Sequence, residues 1–315
     1  MTGGPEARRR SSLLAVTRAV VIGVATCVAA AAASAQGLTP RTYWPAPNGI
    51  GVIVLGYVYA EGDVLIDPTL PLYGVDSEVS LAVVGYLQTF SLWGRTANIL
   101  AQLPYQWSTT SGFLVETPAE GSVSGFGDPE FKLTVNLSGA PAMTPAEFQA
   151  LRDAPHPILG ASVTVIVPIG EYDPNRVLNA SGNRWAVRGG LGYIIPLRPK
   201  LLLEIEGGIW WLGDDDEFVA GRREQEPIAG IQLHLVRRFK PGFWASLDAN
   251  YFFGGRQTID GRQLVDVQQN SRIGGTVVVP FKGRHAVKVG FATGIFTEFG
   301  TDLDQVLVSY QVLFR

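Results

Sequence analysis

The side chains that could do chemistry in this 315-residue sequence are three histidines, one cysteine and a run of four acidic residues. A hydrolase needs a nucleophile beside a His that a third group orients. His156 stands between two prolines, His234 falls inside a segment of alternating polarity, and His285 opens another such segment. No G-x-S-x-G motif accompanies any of them. A Ser, His and Asn set can also assemble from distant strands, so a barrel phospholipase stays open as an alternative. The expectation is a non-enzyme with no catalytic residue, metal or cofactor. Asp214-Asp215-Asp216-Glu217 lacks the ligand spacing of a calcium loop and reads as solvated surface charge.

A second set of polar groups recurs at even positions late in the chain: Arg184, Arg188, Glu204, Glu206, His234, Arg238, Asp248, Arg272 and Lys288. They could line a water-filled or hydrogen-bonded pathway for a solute, or pair across strands and only satisfy one another. Either role requires elements that bring every second residue to one surface.

Composition points to strands. Only 17% of residues are charged, against roughly 25% in an average soluble domain, and the 37 glycines disfavour a mostly helical chain. A net charge of -3 offers no basic footprint for nucleic acid.

After a Pro-rich lead at Tyr43 to Pro47, twelve alternating segments follow, separated by Gly, Pro, Asn and Asp. They run Asn48 to Asp63, Ser77 to Leu92, Arg95 to Trp107, Gly127 to Leu137, Ile158 to Pro168 and Asn183 to Ile195. The remainder are Lys200 to Leu212, Glu226 to Phe239, Gly242 to Phe253, Ser271 to Val279, His285 to Phe296 and Asp304 to Phe314. The links at Trp93 to Gly94, Pro196 to Pro199, Lys240 to Pro241 and Pro280 to Arg284 are tight. Those at 64–76, 108–126, 170–182, 213–225, 254–270 and 297–303 are longer. An even strand number with short turns on one side and long loops on the other is the pattern of an outer-membrane barrel, whose short turns are periplasmic.

One phase of each segment is apolar, as in Phe243, Ala245, Leu247, Ala249 and Tyr251, and the other is mostly polar. Aromatics on the apolar phase gather at segment ends. Tyr105, Trp107, Trp185, Trp211, Tyr251 and Phe253 lie by long loops; Trp93, Tyr193, Phe239, Phe243, Phe281 and Phe314 lie by tight turns. Two such belts suit the two interfaces of a membrane better than the core of a soluble sandwich. The expected fold is therefore an all-β transmembrane antiparallel β-barrel of about twelve strands, its apolar face toward outer-membrane lipid. Thr144-Pro145-Ala146-Glu147 reads as a capping box with Pro at the first helical position, which predicts a short periplasmic helix from Pro145 to about Arg152.

Arg8, Arg9, Arg10 and Arg18, an apolar run from Ala19 to Ala33, and Ala33-Ser34-Ala35 form a secretory signal pattern. Residues 1–35 are expected to be removed, leaving a barrel domain over 36–315. Cleavage there removes Cys27, the sole Cys, and leaves 21 Lys and Arg against 27 Asp and Glu. The final segment ends Val306, Val308, Tyr310, Val312, Phe314, Arg315. Its terminal aromatic resembles the signal read by the barrel insertion machinery, the one protein partner expected.

The order of L-P-Y at Leu103 to Tyr105, S-G-F-G-D-P at Ser124 to Pro129, V-P-I-G-E-Y-D-P at Val167 to Pro174 and N-R-W at Asn183 to Trp185 resembles the transporter family named for the meta-pathway of phenol degradation. The resemblance spans most of the chain beyond residue 35. It implies an outer-membrane β-barrel passing small hydrophobic or aromatic compounds, and it carries no agreed substrate or catalytic residues. The rival expectation is a structural or surface-binding barrel with a closed lumen.

Overall fold

Alternating polarity fixes the architecture, because a strand places successive side chains on opposite faces. The computed structural model describes residues 37–65, 72–176 and 178–314; the signal expected over 1–35 lies outside them. The elements are β1 (Gly51–Leu65), β2 (Leu72–Leu92), β3 (Arg95–Leu114), β4 (Thr117–Phe126), β5 (Glu130–Ser138), α1 (Pro145–Asp153), β6 (Ile158–Ile166), β7 (Ala186–Arg198) and β8 (Leu201–Leu212). They continue with β9 (Arg223–Gln225), β10 (Ile228–Lys240), β11 (Phe243–Gly254), β12 (Gln257–Ile259), β13 (Arg262–Gln263), β14 (Gln268–Phe281), β15 (His285–Thr297) and β16 (Gly300–Phe314).

All wall pairings are antiparallel, and β1 pairs with both β2 and β16, which closes the sheet. Because β4 and β5 both pair with β3 and share one place in the wall, the barrel has twelve strand positions, as the alternation predicts. Among the described residues no helix is long and apolar enough to cross a membrane; the strands do the crossing. In lipid every backbone group must pair within the protein, and a closed barrel leaves no free edge.

The register sorts the faces as expected. Opposite pairs such as Leu235 and Leu247 share the outside, while the neighbouring pair His234 and Asp248 shares the inside. Leu247 is 67% exposed, whereas Asp248 is 2% exposed. Trp107, Trp185, Trp211, Tyr251 and Phe253 are exposed toward the loop end, and Trp93, Tyr193, Phe239, Phe281 and Phe314 toward the turn end. At the tight end Trp93 and Gly94 both have positive φ, 50° and 73°, the twist that a two-residue hairpin turn requires.

Several boundaries differ from expectation. The stretch 108–126, read as a long loop, is a hairpin: β3 runs on to Leu114 and β4 returns from Thr117. Most of its residues are small or polar, with Phe113, Val115, Val123 and Phe126 too scattered to alternate, so the pattern could not mark it. At the loop end β9, β12 and β13 form a separate small sheet over an apolar cluster of Phe218, Ile259 and Leu264. Of the acidic run, Asp214, Asp216 and Glu217 are exposed as a solvated patch requires, and one residue departs from it. Asp215 is fully buried and pairs with buried Arg223 at 3.1 Å.

The helix is where its capping box predicts. Glu147 accepts from Thr144 N at 2.7 Å while Thr144 Oγ1 accepts from Glu147 N at 3.4 Å. Leu151, with Phe148 beside it, packs into a cluster with Tyr43, Trp44, Met143, Ile158, Ile194, Leu202 and Val236 at the periplasmic end. The backbone N–H of Thr144, and then its hydroxyl, hold the Glu147 carboxyl below its ordinary value. A depressed folded pKa stabilises the helix above the unfolded value of about 4.3, and that contribution is lost as pH falls through the folded value. Hydrogen exchange corrected for intrinsic rate should therefore show α1 amides protected at pH 6 and loosened at pH 3, with Thr144→Ala looser at both.

Candidate functional site

The lumen is the surface on which the predicted polar set meets. Residues 204, 234 and 248 stand directly opposite one another on β8, β10 and β11. A carboxylate can only accept, so Asp248 takes hydrogen bonds from His234 Nδ1 at 2.8 Å and from Ser246 Oγ and Thr276 Oγ1 at 3.0 Å. Lys288 interacts electrostatically with Asp248. Arg188 pairs with Glu206 at 2.7 Å, both buried. The remaining three are apart from this group. Arg184 donates to Gln225 Oε1 at 2.5 Å near the loop end, Arg238 donates to the carbonyls of Arg152 and Pro199 at the turn end, and Arg272 donates to the Leu303 carbonyl. The nine residues thus line one interior in several separate networks. Among the described residues, no group of three or more His, Cys, Asp or Glu is arranged to hold a metal ion.

Residues 37–50 form a strap inside the lumen; the sequence shows only Tyr43 to Pro47 as a Pro-rich lead and Asn48 as the start of the first strand, which in the structure begins at Gly51. Gln232 accepts from Thr39 N at 3.2 Å and donates to Gly37 O at 3.1 Å, and Glu204 accepts from Arg41 N at 2.8 Å. Farther along, Asn136 donates to Tyr43 O at 2.8 Å, and Tyr43 Oη lies 2.9 Å from Ser162 Oγ. The Tyr43 ring lies flat against the wall where side chains are missing: a Cβ on Gly192 would stand 2.1 Å from it and one on Gly160 2.4 Å. The Arg41 guanidinium sits 4.6 Å from Trp44 and 5.3 Å from Trp244, and Arg238 stacks on the Trp44 ring at 4.7 Å. With the apolar cluster around α1, these contacts crowd the periplasmic end of the lumen. The lead's mixture of Arg, Thr, Tyr and Trp beside Pro was the signal that could have found the strap.

A second feature lies in the wall itself. β3 pairs with β5 over Ala97–Gln102 but with β4 from Tyr105 onward. β5 continues to β6, whereas among the described residues β4 has no second strand beside it. The span 167–185, in its described residues, fills this place as a non-strand insert. Its backbone joins β4 through Glu171 N to Phe126 O at 2.8 Å, and its side chain returns the bond from Phe126 N at 2.9 Å. Asp128 gathers the rest, accepting from Gly170 N, Ser181 Oγ and Gly182 N at 2.9, 2.7 and 2.8 Å. Gly170 is required here because a Cβ would meet the Gly127 carbonyl carbon at 2.6 Å. Asn183 then bonds Asp215 at 2.9 Å, and Arg223 reaches the Gly182 carbonyl. The Gly and Pro motifs scattered through the sequence therefore meet at one interruption of the wall.

Residues 60–301 match the family described as "Putative MetA-pathway of phenol degradation". No curated protein sequence matches the chain. Among solved structures, an outer-membrane channel of the COG4313 group from Pseudomonas putida F1 is similar at 22% identity and a TM-score of 0.73, over 88% of this chain and 100% of that one. The transport unit of the autotransporter AIDA-I from Escherichia coli is similar at 9% identity and a TM-score of 0.52, over 94% and 99%. At these identities the likeness concerns the fold.

Proposed function

Since the chain belongs to this phenol-degradation MetA-pathway family, we propose that it is a non-catalytic outer-membrane channel for passive uptake of small hydrophobic, above all aromatic, compounds. The observation that carries this reading is the combination of a strap bonded across the lumen and a wall interrupted at the insert. Water-soluble solutes need a continuous wet path, which the strap and the cluster around Trp44 occupy. An apolar solute already dissolved among lipid chains needs only a place where the wall is not sealed by strand pairing, and the span 167–185 is held there by hydrogen bonds from Asp128 and Glu171 rather than by a ladder.

Export by the signal over residues 1–35 belongs to the same proposal. The pattern that supports it is the basic stretch Arg8 to Arg18, the apolar run Ala19 to Ala33 and Ala33-Ser34-Ala35. Insertion machinery reading Phe314, whose ring stacks near Tyr86, is proposed with it. The wall charges serve to hold the strap and fix the barrel's interior.

The test is uptake into vesicles with an outer leaflet of lipopolysaccharide, because a plain phospholipid bilayer already passes apolar solutes. The protein should speed toluene but not glucose. Equal acceleration of both would identify a general porin. A second reading, a structural barrel with a permanently closed lumen, is favoured by the strap contacts and predicts no acceleration of either.

A further inference from the structure

We infer that the lumen side of the wall insert is a binding site for a single-ring aromatic compound bearing one hydroxyl group. This rests on the channel reading and names its substrate class. A cavity of about 150 Å³ lies there, walled by Leu81, Val83, Pro104, Ile166, Ala186 and Leu212. A cavity of ~150 Å³ takes up benzene when its walls are apolar, so the apolar side of this one suits one ring better than two fused rings. All six walls project inward from β2, β3, β7 and β8 or from the end of β6. Gly127, Asp128, Ser181 and Gly182 complete the floor. The residues that fasten the insert therefore also border the cavity.

The polar fittings select for a hydroxyl. Gln106 faces the cavity, is 5% exposed, and makes a long 3.4 Å bond from its Nε2 to Ser108 Oγ. Its amide can donate and accept, as a phenolic hydroxyl can. Such a hydroxyl offers Gln106 a better hydrogen bond than the one it has. By contrast Asp128 is fully engaged with the insert, and Gln102 bonds Glu130. Arg184, tied to Gln225, borders the cavity and favours the partial negative charge of a phenolic oxygen.

Fluorine NMR on the refolded full-length mature protein tests the site with 4-fluorophenol, fluorobenzene and 6-fluoro-2-naphthol as probes. Saturable binding of the two one-ring probes is expected, with fluorobenzene weaker and the naphthol failing to compete. Gln106→Leu keeps the volume and should weaken 4-fluorophenol about tenfold, the worth of one hydrogen bond, while leaving fluorobenzene nearly unchanged. Val83→Phe fills the cavity and should abolish saturable binding of both. Ala186→Leu does the same from another strand and serves if Val83→Phe does not give a heat-modifiable barrel. Absence of saturable 4-fluorophenol binding, equal competition by the naphthol, or full binding by a cavity-filled folded variant overturns the proposal. Saturable binding in a protein that fails to speed toluene uptake would instead leave the site standing and remove the channel reading.

Discussion

Leu247→Arg should destabilise the folded barrel by about 2–4 kcal/mol, the cost of a cation near the bilayer midplane, whereas Asp248→Asn one residue away should cost far less. Leu247 is mid-strand on β11 and among the most exposed apolar side chains of the wall. Its lipid neighbours include Leu235, directly opposite on β10. Asp248 points the other way, and an amide of the same shape can still accept from His234 and meet the Ser246 and Thr276 hydroxyls. Urea titration in lipid vesicles, followed by Trp fluorescence, measures both. Equal losses, or a larger loss for Asp248→Asn, would mean that the faces are reversed and that the apolar residues form a soluble core.

Removing residues 37–47 should convert a nearly closed barrel into an open pore with a large increase in ion conductance. The strap supplies the Tyr43 and Trp44 rings, the Arg41 stack and the backbone groups bonded by Glu204, Gln232 and Asn136. Twelve strands lie between barrels filled by their own side chains and those that leave an aqueous channel, so the interior without its strap is wide enough to wet. Planar-bilayer recordings of the deletion and the parent compare them directly. Unchanged conductance would show that the wall side chains alone fill the barrel.

What the sequence revealed follows from physics that acts locally. The alternation of Phe243 to Tyr251 marks both a strand and its faces, and the girdles mark which face meets lipid. Thr144 to Glu147 carry their helix signal in four consecutive residues. Elements fastened by distant partners left no such mark. Asp128 and Gly170 are 42 positions apart, and nothing near either one announces that the carboxylate will hold the insert. Asp215 reads as one of four surface acids until Arg223 and Asn183 are seen around it. The even-numbered charges could be assigned to the lumen by phase, but the strap that occupies the space between them depends on Gly160 and Gly192 leaving room for Tyr43.

If apolar compounds pass the wall at the insert, fastening the insert to β4 must stop them. Glu171 lies against β4 on the face of Gly125: a Cβ on Gly125 would stand 2.8 Å from the Glu171 carboxyl carbon, and Glu171 N donates to Phe126 O at 2.8 Å, so side chains at 125 and 171 face one another as a disulfide needs. The sole native cysteine, Cys27, lies in the expected signal. Gly125→Cys with Glu171→Cys therefore gives a reversible lock, read by toluene uptake into lipopolysaccharide-coated vesicles. Uptake should fall toward the protein-free rate when the pair is oxidised and return on reduction. Identical uptake in the oxidised and reduced states, with the disulfide verified by mass, would contradict passage at the insert.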